Sequence, residues 1–437
     1  MGNSHQNISA NAVIQRFQHW AQVYGKKILR LQTKTGFCNI RRKWQHRRLR
    51  RKMSIAVVFP IDTFSKWKAD SLLRLLLKHP RFTPVIRLVN IYEPGSKEDE
   101  LNRKLIQEYA AALGVPCLSF TSYNALPQGH RADLVILSEA YDGAILFQAR
   151  HRGLFKRPFC YIPYGFYSIG NEANLNSIAN NFALFNFYEN ESSRQLAAGL
   201  MDNGGANISI TGHTMADAFL FSAERHIPAW KDCGKPMKRI IWAPHWTISE
   251  ETSSWFTAGN FLEVAEQMVE LAERYQDELQ FAFKPHPLLH KALCQHPQWG
   301  KEKTDAYYRR WAEMPNTQLE EGAYAGLFMQ SDACIHDCGS FIVEYMFADK
   351  PALFLVRGEG YQGYSPMAQA ALKCYTKGQT GGDIEEFLQS VLRGDDSLSE
   401  QRRDFRERYI IPPHGCSAAQ NVIDCLLGEG AYAENGK

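Results

Sequence analysis

Several features are missing from this chain of 437 residues, and each absence narrows what it can be. Its ten cysteines, at positions 38, 117, 160, 233, 294, 334, 338, 374, 416 and 425, form no Cys-x-x-Cys pair and are scattered, which reads as reduced thiols in a cytosolic protein. No basic start followed by an apolar stretch opens the sequence, and no uninterrupted run of about 18 apolar residues occurs, so neither secretion nor membrane spanning is expected. The patterns GxxxxGK[ST], GxSxG and HExxH are absent too. That removes the phosphate loop, the hydrolase nucleophile elbow and the zincin helix as leading readings.

Acidic residues are missing from one region in particular. Residues 1–52 hold thirteen Lys and Arg and no Asp or Glu, leaving 37 basic against 46 acidic residues in the rest. The overall charge of +4 therefore hides a basic arm on an acidic body. Within the arm Val13, Phe17, Trp20, Tyr24, Ile28 and Leu31 recur at spacings of three and four, a helical stripe. Cations beside such a stripe suit an anionic membrane surface; a solvated tail, a helix packed on the body and a nucleic-acid arm are the other readings.

What is present is apolar sequence sufficient for burial, at 45%, and a length that implies two domains. Short apolar runs at 53–60, 83–90, 132–139, 159–165 and 207–212 alternate with helical patterns such as 67–78 and 98–113. This βαβ rhythm predicts one parallel-sheet domain over 53–225. A Lys- and Pro-rich stretch, 226–238, reads as a linker. A second series of runs at 239–244, 279–285, 332–337 and 352–356, with helices near 258–275, 340–347 and 382–393, predicts a second α/β domain over 239–437. The fold class is therefore α/β, two Rossmann-like parallel-sheet domains facing a cleft, with a basic helical arm. Ligands of open α/β sheets sit beyond the carboxyl ends of the strands, so strand-end residues carry the information.

In SDACIHDCGSFIVEYMF (331–347) an apolar run breaks at His336, Asp337, Cys338, Gly339 and Ser340 before a helical pattern resumes. Free amides at a helix start, a glycine and a hydroxyl can seat a phosphate; the plain alternative makes Ser340 an N-cap and Gly339 a turn residue. Cys334, His336 and Cys338 lack a fourth ligand, and alternation along a strand turns neighbours to opposite faces, so no metal is assigned. In FAFKPHPLL (281–289) two prolines bracket His286 beside Lys284, holding an imidazole that can move a proton or donate to a phosphate. IIWAPHWTI (240–248) leaves His245 at another strand end, lining the cleft or capping its loop against Trp246. Gly212 and His213 end a run before a helix with Asp217, Tyr164 and Gly165 end another, and Arg357 follows the last run with three glycines behind it. Each of these three also reads as an ordinary turn or loop.

Together WAPHWTI, FKPHP, SDACIHDCGSFIVEYMFADKPALFL and TGHTMAD make the chain resemble the CDP-glycerol glycerophosphotransferase family of teichoic-acid and capsule enzymes, over roughly 155–430 and most strongly over 239–356. The resemblance implies a GT-B-like fold. It implies transfer of glycerol or ribitol phosphate from a CDP-polyol to a hydroxyl of a lipid-linked glycan or polyol-phosphate acceptor, with release of CMP. The implied enzyme is peripheral on the cytoplasmic face of the membrane, held by residues 1–52, with no nucleic-acid partner and no cofactor. By position, His286, with His245, becomes the candidate catalytic residue, while Lys284, Asp337, Gly339, Ser340 and Arg357 become candidates for the nucleotide diphosphate. One departure stands out: the family's amino-terminal His-Gly pair, thought to supply the base, is matched by Tyr164-Gly165, and a phenol is a poor base at neutral pH. His245 or His213 is then expected to take that part, with a nucleotide-sugar glycosyltransferase as the alternative function.

Overall fold

The computed structural model describes residues 37–89, 95–119, 132–138, 154–169, 175–249, 259–322, 324–359 and 363–432. The stripe read over Val13–Leu31 lies outside them.

The first sheet contains β1 (Ile55–Ile61), β2 (Phe82–Leu88), β3 (Cys117–Leu118), β4 (Leu134–Leu137), β5 (Phe159–Tyr161), β6 (Phe185–Tyr188) and β7 (Ile208–Ile210). Their order is β3-β2-β1-β4-β5-β6-β7, parallel throughout, with Val57 opposite both Pro84 and Leu134. The second sheet contains β8 (Lys238–Ala243), β9 (Leu279–Phe283), β10 (Thr317–Leu319), β11 (Ala333–His336), β12 (Ala352–Leu355) and β13 (Thr376–Gly378), in the order β10-β9-β8-β11-β12-β13 and again parallel. The central strands IAVVFPI and LQFAF are almost wholly apolar and buried, as strands covered by helices on both faces must be. In both sheets the order reverses direction beside the first strand, between β1 and β4 and between β8 and β11. There the connections leave to opposite sides and open a crevice.

Both α/β units expected from the sequence are therefore present. Strands β3, β6, β10 and β13 go beyond that expectation: all have four residues or fewer, too few to display a period. Within the stretch expected as a second unit, the final helix Ala418–Leu427 crosses back and buries Ala419, Val422, Ile423 and Leu426 in the core around β1. Asp217 fixes its start, accepting from the amides of Ala418 and Ala419 at 2.8 and 2.9 Å. Stacked rings of Phe219 and Phe347, with centroids 4.7 Å apart, carry a shared apolar cluster across the junction of the two units.

Residues Phe37–Arg50 of the basic arm form a helix. It buries Cys38, Arg42, Gln45 and Leu49 against the first unit, and the His46 ring meets the Cys425 and Leu426 carbonyls at 3.1 and 3.0 Å. Its outer face exposes Ile40 and Trp44 beside Lys43, Arg47 and Arg48, with Met53 exposed just beyond. The Arg48 guanidinium lies 5.4 Å from the Trp44 ring.

Candidate functional site at the strand ends

Asp337 organises the crevice of the second sheet. Its Oδ1 accepts from the His245 amide and its Oδ2 from the Asn260 amide, both at 2.6 Å. Burial pushes its carboxyl up to about 7, those amides pulling the other way. Both oxygens are thus spent ordering the loops beyond β8 and before the helix Phe261–Arg274. Arg357 plays a similar part, since its guanidinium donates to the Ile248 carbonyl at 2.9 Å and the Gly259 carbonyl at 2.5 Å, and meets Glu263 at 3.3 Å. The glycine spacing behind it, Gly358, Gly360 and Gly363, matches the dinucleotide fingerprint, but it follows β12 and not the first strand of the sheet, away from the switch point.

Gly339 is buried and Ser340 exposed, and the Ser340 side chain makes no capping bond. The helix they precede, Phe341–Glu344, has one α turn before it tightens into a 3-10 turn, Tyr345–Ala348. So short a helix carries little dipole, and any anion seat here depends on individual amides. His336, at the end of β11, is fully buried among the rings of Phe341, Phe354 and Tyr375.

His245 and His286 are brought together. They stand beyond the adjacent strands β8 and β9 with ring centroids 5.0 Å apart. Burial is the main reason their imidazoles fall to about 3 and about 4; His286 adds to the depression of His245, and Lys284 to that of His286. Both are neutral at pH 7. The Leu288 amide donates to His286 Nδ1 at 3.1 Å and the Thr247 amide to His245 Nδ1 at 3.3 Å. An amide can only donate, so His286 Nδ1 keeps its lone pair and that neutral ring carries its proton on Nε2, whereas His245 Nδ1 also meets the Thr247 hydroxyl at 2.8 Å and can accept from it or donate to it. His286 therefore carries an N–H donor on Nε2, which suits the second of the two parts the sequence allowed it, proton transfer or donation to a phosphate. The same two-residue pattern recurs at His213, whose Nδ1 accepts from the Met215 amide at 3.1 Å. That ring is buried against Phe166, and burial, with the Lys68 charge second, lowers it to about 3.

Lys284 lies beside the histidine pair, almost wholly buried, its ammonium on the Gly322 carbonyl at 3.0 Å and 5.3 Å from the Tyr324 ring. Burial lowers it to about 8. Facing it from the other unit is Lys68, on the segment after β1, which donates to the Tyr324 hydroxyl at 3.5 Å. Tyr324 in turn donates to Glu344, whose buried carboxyl is raised by desolvation and pulled back by Lys68 and Lys284. Lys68, Tyr324 and Glu344 escape a reading of the sequence. The signal for Lys68 is its place just beyond a strand-end turn in DTFSKWKAD; Tyr324 and Glu344 give none.

Tyr164 is partly exposed, with the Lys66 ammonium 5.7 Å from its ring centre, and a Cβ added at Gly165 would meet open space. Gly212 is different. Its φ is +80°, and a Cβ there would lie 2.7 Å from Pro412, so it is a backbone requirement of the crossing chain. Beyond the histidine pair a cavity of about 400 Å³ is lined by Trp246, Leu288, Lys291 and His296, within the usual volume of small-molecule sites.

No protein-family model and no curated protein sequence matches the chain. Solved structures do. UDP-GlcNAc 2-epimerase from Neisseria meningitidis, bound to UDP-GlcNAc, is 17% identical over 86% of this chain and 100% of its own, with a TM-score of 0.53. The putative UDP-N-acetylglucosamine 2-epimerase of Listeria monocytogenes is 13% identical over 86% and 96%, with a TM-score of 0.54. A variant of the wall teichoic acid polymerase TagF is 13% identical over 94% of this chain and 99% of its own, also with a TM-score of 0.54. At these identities the likeness is one of fold: two Rossmann-like parallel-sheet domains in the GT-B-like arrangement.

Proposed function

We propose that the chain is a transferase that moves a polyol phosphate, glycerol or ribitol phosphate, from a CDP-polyol to a hydroxyl of a cell-envelope glycan or polyol-phosphate acceptor. The observation that carries this reading is the pairing of His245 and His286, two neutral imidazoles 5.0 Å apart with an N–H donor on His286, beside Lys284 and opposite Lys68. An imidazole donor and two ammonium groups at the strand ends suit a diphosphate better than a neutral sugar. The motifs shared with the glycerophosphotransferases, WAPHWTI and FKPHP, supply these same histidines.

In the reaction the acceptor oxygen attacks the phosphorus that bears the polyol. Its bond to that phosphorus forms as the phosphoanhydride bond breaks, CMP leaves with the electron pair, and the acceptor hydroxyl loses its proton to solvent water late in the step. Phosphoryl transfer proceeds through a loose transition state, so stabilising charge matters more than early proton removal. His286 donates to a phosphate oxygen with the His245 ring packed against it, and Lys284 and Lys68 balance the charge that develops on the leaving group. The amides at 339–341 are further candidates for the diphosphate. Asp337 and Arg357 keep the loops in place.

Among the described residues no helix is long and apolar enough to cross a membrane. The outer face of Phe37–Arg50 supports a peripheral placement on an anionic surface, where a lipid-linked acceptor is presented.

The test is to incubate the purified protein with CDP-glycerol, CDP-ribitol and a panel of UDP- and GDP-sugars, with acceptor, and to identify the released nucleotide. CMP is the expected product. Release of UDP or GDP from a sugar donor would replace this reading with a glycosyltransferase, and donor binding without turnover would make the chain a silent assembly partner.

A further inference from the structure

We propose a divalent-metal site of the zinc class on the outer side of the second unit, formed by His290, Cys294 and Asp305. His290 and Cys294 are four residues apart in the helix Leu289–Gln295 and so share one face. Asp305 comes from the neighbouring helix Gly300–Glu313. The His290 ring meets Asp305 Oδ1 through Nε2 at 2.9 Å and Cys294 Sγ through Nδ1 at 3.7 Å, and one ligand atom from each of the three residues lies within 4.8 Å of the others. A tetrahedral ion with bonds of about 2.0 to 2.3 Å holds its ligand atoms about 3.3 to 3.7 Å apart, and since only one ring nitrogen can bind it, His290 exchanges one of its two present contacts for the metal. The mixture of one thiolate, one imidazole and one carboxylate favours zinc over magnesium or calcium, which take oxygen ligands.

Two neighbours point the same way. Tyr308 packs edge-on against His290 with centroids 4.9 Å apart, and its buried hydroxyl has no hydrogen-bond partner among the described residues. It lies close enough to Cys294 for the two groups to affect each other electrostatically, so it can serve a thiolate or a metal-bound water. Lys301 pairs with Asp305, so a cation already occupies the carboxylate. A divalent ion displaces that ammonium, takes up the thiolate as Cys294 loses its proton to solvent, and keeps a water in its open position.

The sequence conceals the site because Asp305 stands eleven positions beyond Cys294 in another helix. Its consequence reaches the histidine pair, since the Leu289 amide that opens the first of these helices donates to the His286 carbonyl at 2.8 Å. A metal that staples the two helices braces the loop carrying His286. The site does not depend on the identity of the donor nucleotide.

Titrating the metal-depleted full-length protein with cobalt(II), then displacing it with zinc, tests the assignment. One equivalent should bind, with a thiolate-to-cobalt charge-transfer band that Cys294→Ser abolishes. Asp305→Asn and His290→Gln should weaken binding about tenfold or more. Zinc should raise the thermal midpoint of the wild type and leave that of Cys294→Ser unchanged; circular dichroism checks that each variant is folded. Absence of the band in the wild type, its survival in Cys294→Ser, or unchanged affinity in both other variants would overturn the site.

Discussion

The ammonium of Lys68 and the hydroxyl of Tyr324 meet at 3.5 Å across the junction of the two units, one residue contributed by each. Glu344, which accepts from Tyr324, is the only carboxylate bonded directly to this pair among the described contacts. Replacing Lys68 by Met removes the charge while retaining the stem. If Lys68 balances charge on the diphosphate, turnover should fall about a hundredfold, on the scale of removing one transition-state contact, with little change in the unfolding midpoint. A parallel loss of stability and activity would reduce Lys68 to a structural contact.

The tautomer of His286 separates donation from proton removal. His286→Ala should lose at least about a hundredfold in transfer. His286→Gln restores an N–H donor near the position of Nε2 but offers no basic nitrogen. Recovery of about a tenth or more of the activity in the Gln variant supports the donor assignment. Equal inactivity of both variants, together with a pH profile that loses its acid limb, would return His286 to the part of a base.

Lys284 sets the alkaline limit. Its ammonium falls to about 8 from an ordinary 10.5 because burial penalises the charge, so kcat/KM should decline as pH rises through about 8 in the free enzyme. Lys284→Arg stays charged over that range and should move the limb upward. An unshifted limb would assign it to another group.

Much of this arrangement is legible in the sequence for a physical reason. A strand buried on both faces has to be apolar along its length, so IAVVFPI, RIIWA and LQFAF announce themselves, and the polar residues that interrupt them fall at the strand ends. That places His245, Lys284 and His286 together from the order of residues alone. Contacts that depend on the third dimension stay hidden. Asp337 acts as a loop clamp because two amides from distant segments converge on its oxygens. Gly212 owes its identity to Pro412, two hundred residues further on. The return of Ala418–Leu427 to the first core is equally invisible, since its apolar face names no partner.

Acid should destabilise the protein well before its carboxylates are all protonated. His213, His245 and His336 fall to about 3 and His286 to about 4, each chiefly through burial. Because the folded pKa values lie below the unfolded 6.5, the unfolded chain takes up protons that the folded chain refuses. This contribution is complete above about 6.5 and is lost as pH falls toward 4, at up to about 1.4 kcal/mol per unit for each histidine. Asp337 acts in the opposite sense: raised to about 7, it holds a proton in the folded state and offsets part of the loss as pH drops from 7 toward 3.8. His336 gives a clean test. The Cys338 main chain lies nearby, but neither ring nitrogen has a hydrogen bond of good geometry. His336→Leu should lose about 2 kcal/mol less stability than the wild type between pH 7.5 and pH 5, by denaturant unfolding at both values. Parallel losses would show that His336 does not resist protonation.

The outer face of Phe37–Arg50 makes the final prediction. Cys38, Arg42, Gln45 and Leu49 fasten the helix to the body, leaving Trp44 59% and Ile40 73% exposed between Lys43, Arg47 and Arg48. A tryptophan with cations on either side suits the boundary between headgroups and acyl chains, and each cation near an anionic surface contributes about 1 kcal/mol. Charge reversal at Arg47 and Arg48 should therefore weaken binding to vesicles rich in phosphatidylglycerol by well over tenfold, and Trp44→Ala should weaken it further at high salt, where the electrostatic part is screened. Turnover of a short soluble acceptor should be unchanged, because this face lies on the helix packed beside β1 and the final helix and not at the strand ends. Co-sedimentation and the soluble-acceptor assay, run on the same variants, separate the two effects: undiminished vesicle binding after charge reversal would exclude this face as the membrane contact.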